Sequence, residues 1–349
     1  MQIKVNGLSK VYTTFHRGST FKEVVQSIFK RTPIEIHALK GIDFSIGQGE
    51  LVGFLGPNGA GKSTTLKILT GVLFPSAGDV SVMGYCPWKQ RQKYVAQIGA
   101  VFGQKSQLVW DIPPIDSFMM NQAIYRIPDD QFQKTKDRLV GMLEIRDQIK
   151  QPTRSLSLGE RMKCEFVMAM LHNPRIVFLD EPTIGLDVIA KDRVREFIQE
   201  MNRSGVTFIL TTHDLGDVER LAKRVIIINH GELVYDNEID ALHRHFGAKK
   251  ILTVATKKNC DISERPGVTV LRHLSPTDLE LECDTGIVEL PSLIGEMSDR
   301  FGLRDLSVQD LPIEEVIKEL YAENASPPGP FWFSNHFDAS SASGRGGVR

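Results

Sequence analysis

Three short stretches carry residue types suited to phosphoryl chemistry. The first is Gly56-Pro57-Asn58-Gly59-Ala60-Gly61-Lys62-Ser63-Thr64. It fits the G-x-x-x-x-G-K-[ST] pattern, whose backbone N–H groups turn inward around a polyphosphate. In that pattern Lys62 reaches the β- and γ-phosphates, and the Ser63 hydroxyl binds Mg²⁺. The second stretch is Asp180-Glu181, which closes the apolar run Ile176-Val177-Phe178-Leu179. Asp180 is suited to hold Mg²⁺ through water, and Glu181 to orient or deprotonate an attacking water. The third is Thr211-Thr212-His213-Asp214, where His213 closes another apolar run. Its ring suits a hydrogen bond to a γ-phosphate as charge develops.

These groups need elements that bring them to one edge. Glu50 to Leu55 reads as a buried strand and Thr65 to Leu69 as a helix. That is the strand–loop–helix context of a phosphate-binding loop, with the positive end of the helix aimed at the anion. Runs at 98–102, 176–181, 207–210 and 225–228 read as further strands. Helices are expected over 161–172 and 188–203, with one more before 225. Strands alternating with helices predict an α/β fold with a mostly parallel sheet, its polar residues at the carboxyl ends of the strands. Residues 3–12 look like an edge strand, and 38–46 like a second one. Between them, Phe21, Val24, Val25, Ile28 and Phe29 share one helical face, with Lys22, Lys30 and Arg31 outside it. Such a helix packs on its own core, or lies against a membrane subunit or the headgroup layer. From about 116 to 150 helical periodicity returns, carried by Phe118, Met119 and Ile124 and then Phe132, Leu139, Met142 and Leu143. Beyond about 241, three short strands and helices at 287–300 and 313–322 suggest a small α+β accessory domain over 241–321. Residues 322–349 are Pro/Gly/Ser-rich and are expected to be disordered.

The bulk numbers exclude several classes. The 349 residues suggest roughly two domains. A net charge of −1 without a long basic run does not ask for a nucleic-acid surface. Cys86, Cys164, Cys260 and Cys283 make no C-x-x-C pair and no metal spacing, which suits thiols in a reducing compartment. No signal peptide is read, and no stretch offers about 18 continuous apolar residues, so a membrane role would run through a partner.

Beyond the phosphate loop, Leu156-Ser157-Leu158-Gly159-Glu160 stands ahead of the acidic strand, and Gly185-Leu186-Asp187 stands behind it. In this the chain resembles the ATP-binding subunits of ABC transporters over roughly residues 3–240, with a helical subdomain over about 105–172. The resemblance makes Ser157, Leu158, Gly159 and Glu160 the signature that acts in trans, and Asp187 part of the D-loop. It makes Gln104 the Q-loop glutamine, a catalytic and metal-contacting residue, with Asp116 an acidic residue soon after. It makes Tyr12 the aromatic that stacks on adenine, with Phe15 as substitute because an insertion over about 13–37 follows it. Leu158 stands where glycine is usual, Glu160 where glutamine is usual, and Ile184 where a small residue is commoner.

The resemblance implies ATP and Mg²⁺ as ligands and a second ATP-binding subunit, expected to be another copy. Two subunits would close head to tail, each ATP held between Lys62 and Ser63 of one and Ser157 and Gly159 of the other. Hydrolysis at Glu181 would reopen the pair, and the segment after Gln104 would pass the motion to separate transmembrane permeases at the cytoplasmic face of the cell membrane. The insertion and Leu311 to Ile317 look like the branch serving type 2 drug and viologen exporters. An ATPase for envelope polysaccharide export, or a soluble ABC ATPase outside transport, is the alternative.

Overall fold

The computed structural model describes residues 1–15, 33–103, 105–212, 215–246, 249–260, 262, 266–310, 317 and 320. Gln104, His213 and Asp214 lie outside these residues, as do 16–32 of the expected insertion and the tail expected over 322–349.

The chain opens with β1 (Ile3–Phe15) and β2 (Pro33–Ile46), paired antiparallel. β3 (Leu51–Leu55) leads through the phosphate loop into α1 (Lys62–Leu69). β4 (Ala77–Val82), α2 (Arg91–Val95) and β5 (Ile98–Phe102) follow. A helical stretch comes next, with α3 (Pro114–Tyr125), α4 (Asp129–Leu143) and α5 (Leu158–Met170). The pattern then alternates: β6 (Ile176–Asp180), α6 (Val188–Arg203), β7 (Thr207–Thr211), α7 (Leu215–Leu221), β8 (Arg224–Asn229) and β9 (Glu232–Glu238).

Six strands form the central sheet in the order β5-β6-β7-β3-β8-β9. All its pairings are parallel except β8 with β9. Because strand side chains alternate, the sheet splits the core in two. Leu179, Phe208, Leu210 and Ile227 face α5 and α6. Phe178, Ile209, Phe54 and Ile226 face α1 and a three-stranded antiparallel sheet, β2-β1-β4. In that sheet β1 is central and not an edge: Lys4 pairs with Ser45 on one side and Ser81 on the other. Side-chain alternation reports which face of a strand is buried, but it does not report whether its backbone edges are paired.

α5 begins at Leu158, three residues before the expected Arg161, because Ser157 caps it. In α3 only part of the expected apolar stripe turns inward. Phe118 is buried, whereas Met119 and Ile124 are exposed. The inner face is completed by polar groups with partners of their own: Asn121 Nδ2 donates to Met168 O (2.8 Å), and Ser117 Oγ accepts from Val109 N (3.2 Å).

After α8 (Ile239–Phe246), β10 (Lys249–Thr256), β11 (Val268–His273), β12 (Asp278–Asp284), α9 (Leu290–Phe301) and β13 (Leu303–Asp310) build a four-stranded antiparallel sheet, order β11-β12-β10-β13. β13 is an additional strand, paired with β10 at the opposite end of the segment. Leu252, Val254, Leu281, Leu293 and Met297 give this part its own core. Ile239, Leu242, Ile317 and Leu320 instead belong to the larger hydrophobic cluster that also holds side chains of α5 and α6.

Candidate active site

The phosphate loop hangs between β3 and α1 at the carboxyl edge of the central sheet. β3 is buried along its whole length, since β7 and β8 flank it and both faces are covered. Gly56, at φ +152°, begins the loop where a Cβ would lie 2.2 Å from Ile228 O. Only glycine lets the backbone leave the sheet there. Gly231 N donates to Ala60 O (3.0 Å) and Lys40 N to Gly231 O (2.9 Å), so the turn after β8, held by the middle of β2, braces the loop from the side.

Lys62 lies beneath the loop, with Nζ donating to Gly56 O (2.6 Å) and Pro57 O (3.2 Å). Burial pushes its pKa below the ordinary lysine value, and the charges of Glu181 and then Asp180 offset part of that. Ser63, in the first turn of α1, donates to Asp180 Oδ1 (3.1 Å), and Thr211 Oγ1 donates to the same oxygen (2.5 Å). Three sequence-distant segments therefore converge on one carboxylate. This follows from strand order: β6 and β7 are neighbours, β7 and β3 are neighbours, and all three run parallel, so their carboxyl ends share an edge. Glu181 follows at φ +52°, a left-handed conformation that is unusual for glutamate. It is held there because its N–H donates to Thr211 O (2.9 Å). Gly103 N donates to Asp180 O (2.9 Å), which ties the end of β5, next to Gln104, to the acidic pair.

Tyr12 stands on β1 opposite Ile36 of β2, with Lys10 Nζ 5.2 Å from its ring centre. Ser157 caps α5 in a reciprocal box: its N–H and hydroxyl donate to Glu160 Oε2 (2.9 and 2.8 Å), and Glu160 N donates to Ser157 Oγ (3.3 Å). The hydrogen bonds from the Ser157 backbone and hydroxyl hold the Glu160 carboxyl below its ordinary range. Glutamate at this position thus serves as a cap partner. Leu158 lies over Gly185, its Cδ2 2.9 Å from where a Cβ there would sit, and Gly159 faces Ala190 Cβ at 3.0 Å in the same sense. Asp187 caps α6, Oδ1 accepting from Ala190 N (2.8 Å). The segments expected to be the signature and the D-loop are therefore packed on each other within one chain.

Several groups of this region escaped the motif reading. Thr211 shares Asp180. Asp217, fully buried on α7, takes Thr183 Oγ1 and Arg195 Nε (2.7 Å). Glu165 is a buried carboxylate on α5. Its signal in the sequence is a lone acid just before the apolar run Phe166 to Leu171.

A family model described as ABC transporter matches residues 39–184. The ABC transporter ATP-binding protein NatA of Bacillus subtilis (strain 168) is 31% identical over 60% of this chain and 85% of its own length. The Nod factor export ATP-binding protein I of Azorhizobium caulinodans is 31% identical over 72% of this chain and 73% of its own. A solved structure described as the ATP binding subunit of an ABC transporter shares the fold, with a TM-score of 0.59 and 24% identity, covering 71% of this chain and 94% of its own. With the phosphate loop, the acidic strand end and the helix capped by Ser157 in one arrangement, the chain belongs to the ABC transporter ATP-binding proteins, the ATPase subunits of these transporters.

Proposed function

We propose that this chain powers a membrane exporter of the type 2 class by closing head to tail on a second copy of itself around two ATP molecules. Lys62 would exchange the carbonyls of Gly56 and Pro57 for phosphate oxygens. Glu181, held by Thr211, would take the proton of the attacking water. Gln104 and His213 would sense the γ-phosphate, and Tyr12 would stack on adenine. Ser157 and Gly159 would meet the nucleotide of the partner copy. The observation that carries this reading is the convergence of Ser63, Thr211 and Asp180 beside Lys62 and Glu181.

Ser63 and Asp180 are two hard oxygen donors side by side, and no cluster of three or more acidic, His or Cys ligands exists among the described residues. That donor set fits Mg²⁺, which favours one or two protein oxygens with phosphates and water completing its shell. Bound there, the ion would neutralise charge developing on the phosphates.

Among the described residues no helix is long and apolar enough to cross a membrane. Trp110, Met119, Met120 and Ile124 leave an exposed apolar face on the helical stretch, suited to separate transmembrane permeases at the cytoplasmic side. Export is supported by the similarity to the Nod factor export ATP-binding protein I.

Glu181→Gln tests the proposal. Turnover should fall about 10²–10⁴-fold with ATP binding retained. Light scattering should show a dimer that forms only with ATP. Hydrolysis near the wild-type rate would contradict the role of Glu181, and a variant that binds ATP yet stays monomeric would contradict the homodimer.

A further inference from the structure

The Glu165 side chain, on α5, is buried. Its carboxylate gathers donors from the short segment that leaves β5 for the helical stretch. The Ser106 hydroxyl donates to Oε1. Gln107 N donates to Oε1 (2.9 Å) and Oε2 (3.1 Å), and Leu108 N lies 3.4 Å from Oε1. Gln107 Nε2 reaches back to Ala100 O of β5 (2.5 Å). One helical turn earlier, Arg161 lies over the Trp110 ring, 5.8 Å from its centre. One face of α5 therefore grips residues 106–110 by a charge, two backbone N–H groups and a ring.

Such a grip has a physical cost. A carboxylate enters an apolar site only when its lone pairs are filled, and removing it leaves buried N–H groups unmatched. A well-packed apolar residue would hold α5 equally well against its core, so stability alone does not ask for glutamate here. What the carboxylate adds is register. It fixes the chain just after residue 104 against the helix whose first residues are the signature. Ser157 lies about 12 Å from Glu165 along the helix axis, at 1.5 Å per residue.

We propose that Glu165 is a positioning residue that makes segment 106–110 and the signature end of α5 move as one body. A shift at the end of β5 thereby sets where Ser157 and Gly159 stand. The inference rests on the roles proposed above for the segment after Gln104 and for Ser157.

The test compares Glu165→Ala, Glu165→Gln and Ser106→Ala in the full chain. ATP affinity of the monomer should stay within twofold in all three. The kcat should fall at least tenfold in Glu165→Ala and less in Glu165→Gln, which keeps one acceptor oxygen. The ATP concentration that drives dimerisation of the Glu181→Gln chain should rise at least tenfold when Glu165→Ala is added. Hydrogen exchange without nucleotide should accelerate both at 106–108 and at 157–161. A kcat within twofold of wild type overturns the inference, as does acceleration confined to 106–108. If Glu165→Ala fails to fold, Glu165→Gln and Ser106→Ala decide by the same exchange pattern. A wild-type chain that neither binds nor hydrolyses ATP would sink the proposed function, and the exchange pattern would still judge the coupling.

Discussion

At the scale of single residues, His172 shows how burial converts into pH dependence. Its Nε2 meets Ile98 O at 2.8 Å, its ring stacks on Tyr125 with centres 4.0 Å apart, and its Nδ1 is buried with no partner among the described residues. The contact with a carbonyl places the proton on Nε2, so acid must put a second proton on Nδ1 inside the core. Burial therefore pushes its pKa below the ordinary 6.5, and the bond to Ile98 O only partly offsets this. The folded state excludes a proton that the unfolded chain accepts. Stability from this group is complete above 6.5 and is lost as pH falls through the depressed folded value. We expect the wild-type chain to lose stability as pH falls below 6.5, with a steepness of up to about 1.4 kcal/mol per pH unit for this one proton. His172→Phe, which keeps the stacking and removes the titration, should flatten that limb in urea unfolding followed across pH. Equal slopes for the two proteins would remove His172 from the acid response.

At the scale of elements, the site depends on how the helices after β6 and β7 are anchored. Asp217 of α7 is fully buried and accepts from Thr183, just past Glu181, and from Arg195 of α6. Arg195 also reaches Asp192 (2.7 Å), and Arg220 joins the same Asp192 (3.1 Å). One carboxylate thus ties the turn carrying Glu181 to the two helices that flank it. Removing one member of a buried pair strands the other, at a cost of about 3–5 kcal/mol. Asp217→Ala should lower unfolding free energy by that amount, measured by chemical denaturation. Asp192→Ala, whose side chain is nearly half exposed, should cost under about 1 kcal/mol. Comparable losses in the two variants would show that burial of Asp217 is not what gives the network its weight.

At the scale of the whole molecule, the segment after β9 is joined to the nucleotide-binding part by more than a linker. Its sheet has a core of its own, yet Ile317 and Leu320, beyond its last strand, are buried in the larger cluster that also holds side chains of α5 and α6. Leu320→Ala should therefore destabilise that core by about 2–5 kcal/mol, read as a lower urea midpoint of the chain's main unfolding transition. An unchanged midpoint would mean that these residues contribute no packing there. The sequence by itself determined the groups that are local in the chain. The phosphate loop lies within nine consecutive residues, and the acidic pair ends an apolar run. Motif spacing and hydrophobic period are properties of neighbours along the chain, so they can be read directly. Only the tertiary structure decided that Thr211 shares Asp180 with Ser63, that β1 is paired on both edges, that Leu158 packs on Gly185, and that Glu165 holds residues 106–108. Each of these joins residues far apart in sequence through strand order or helix packing. No local pattern encodes such pairings, because they arise from which faces and edges meet when the chain closes on itself.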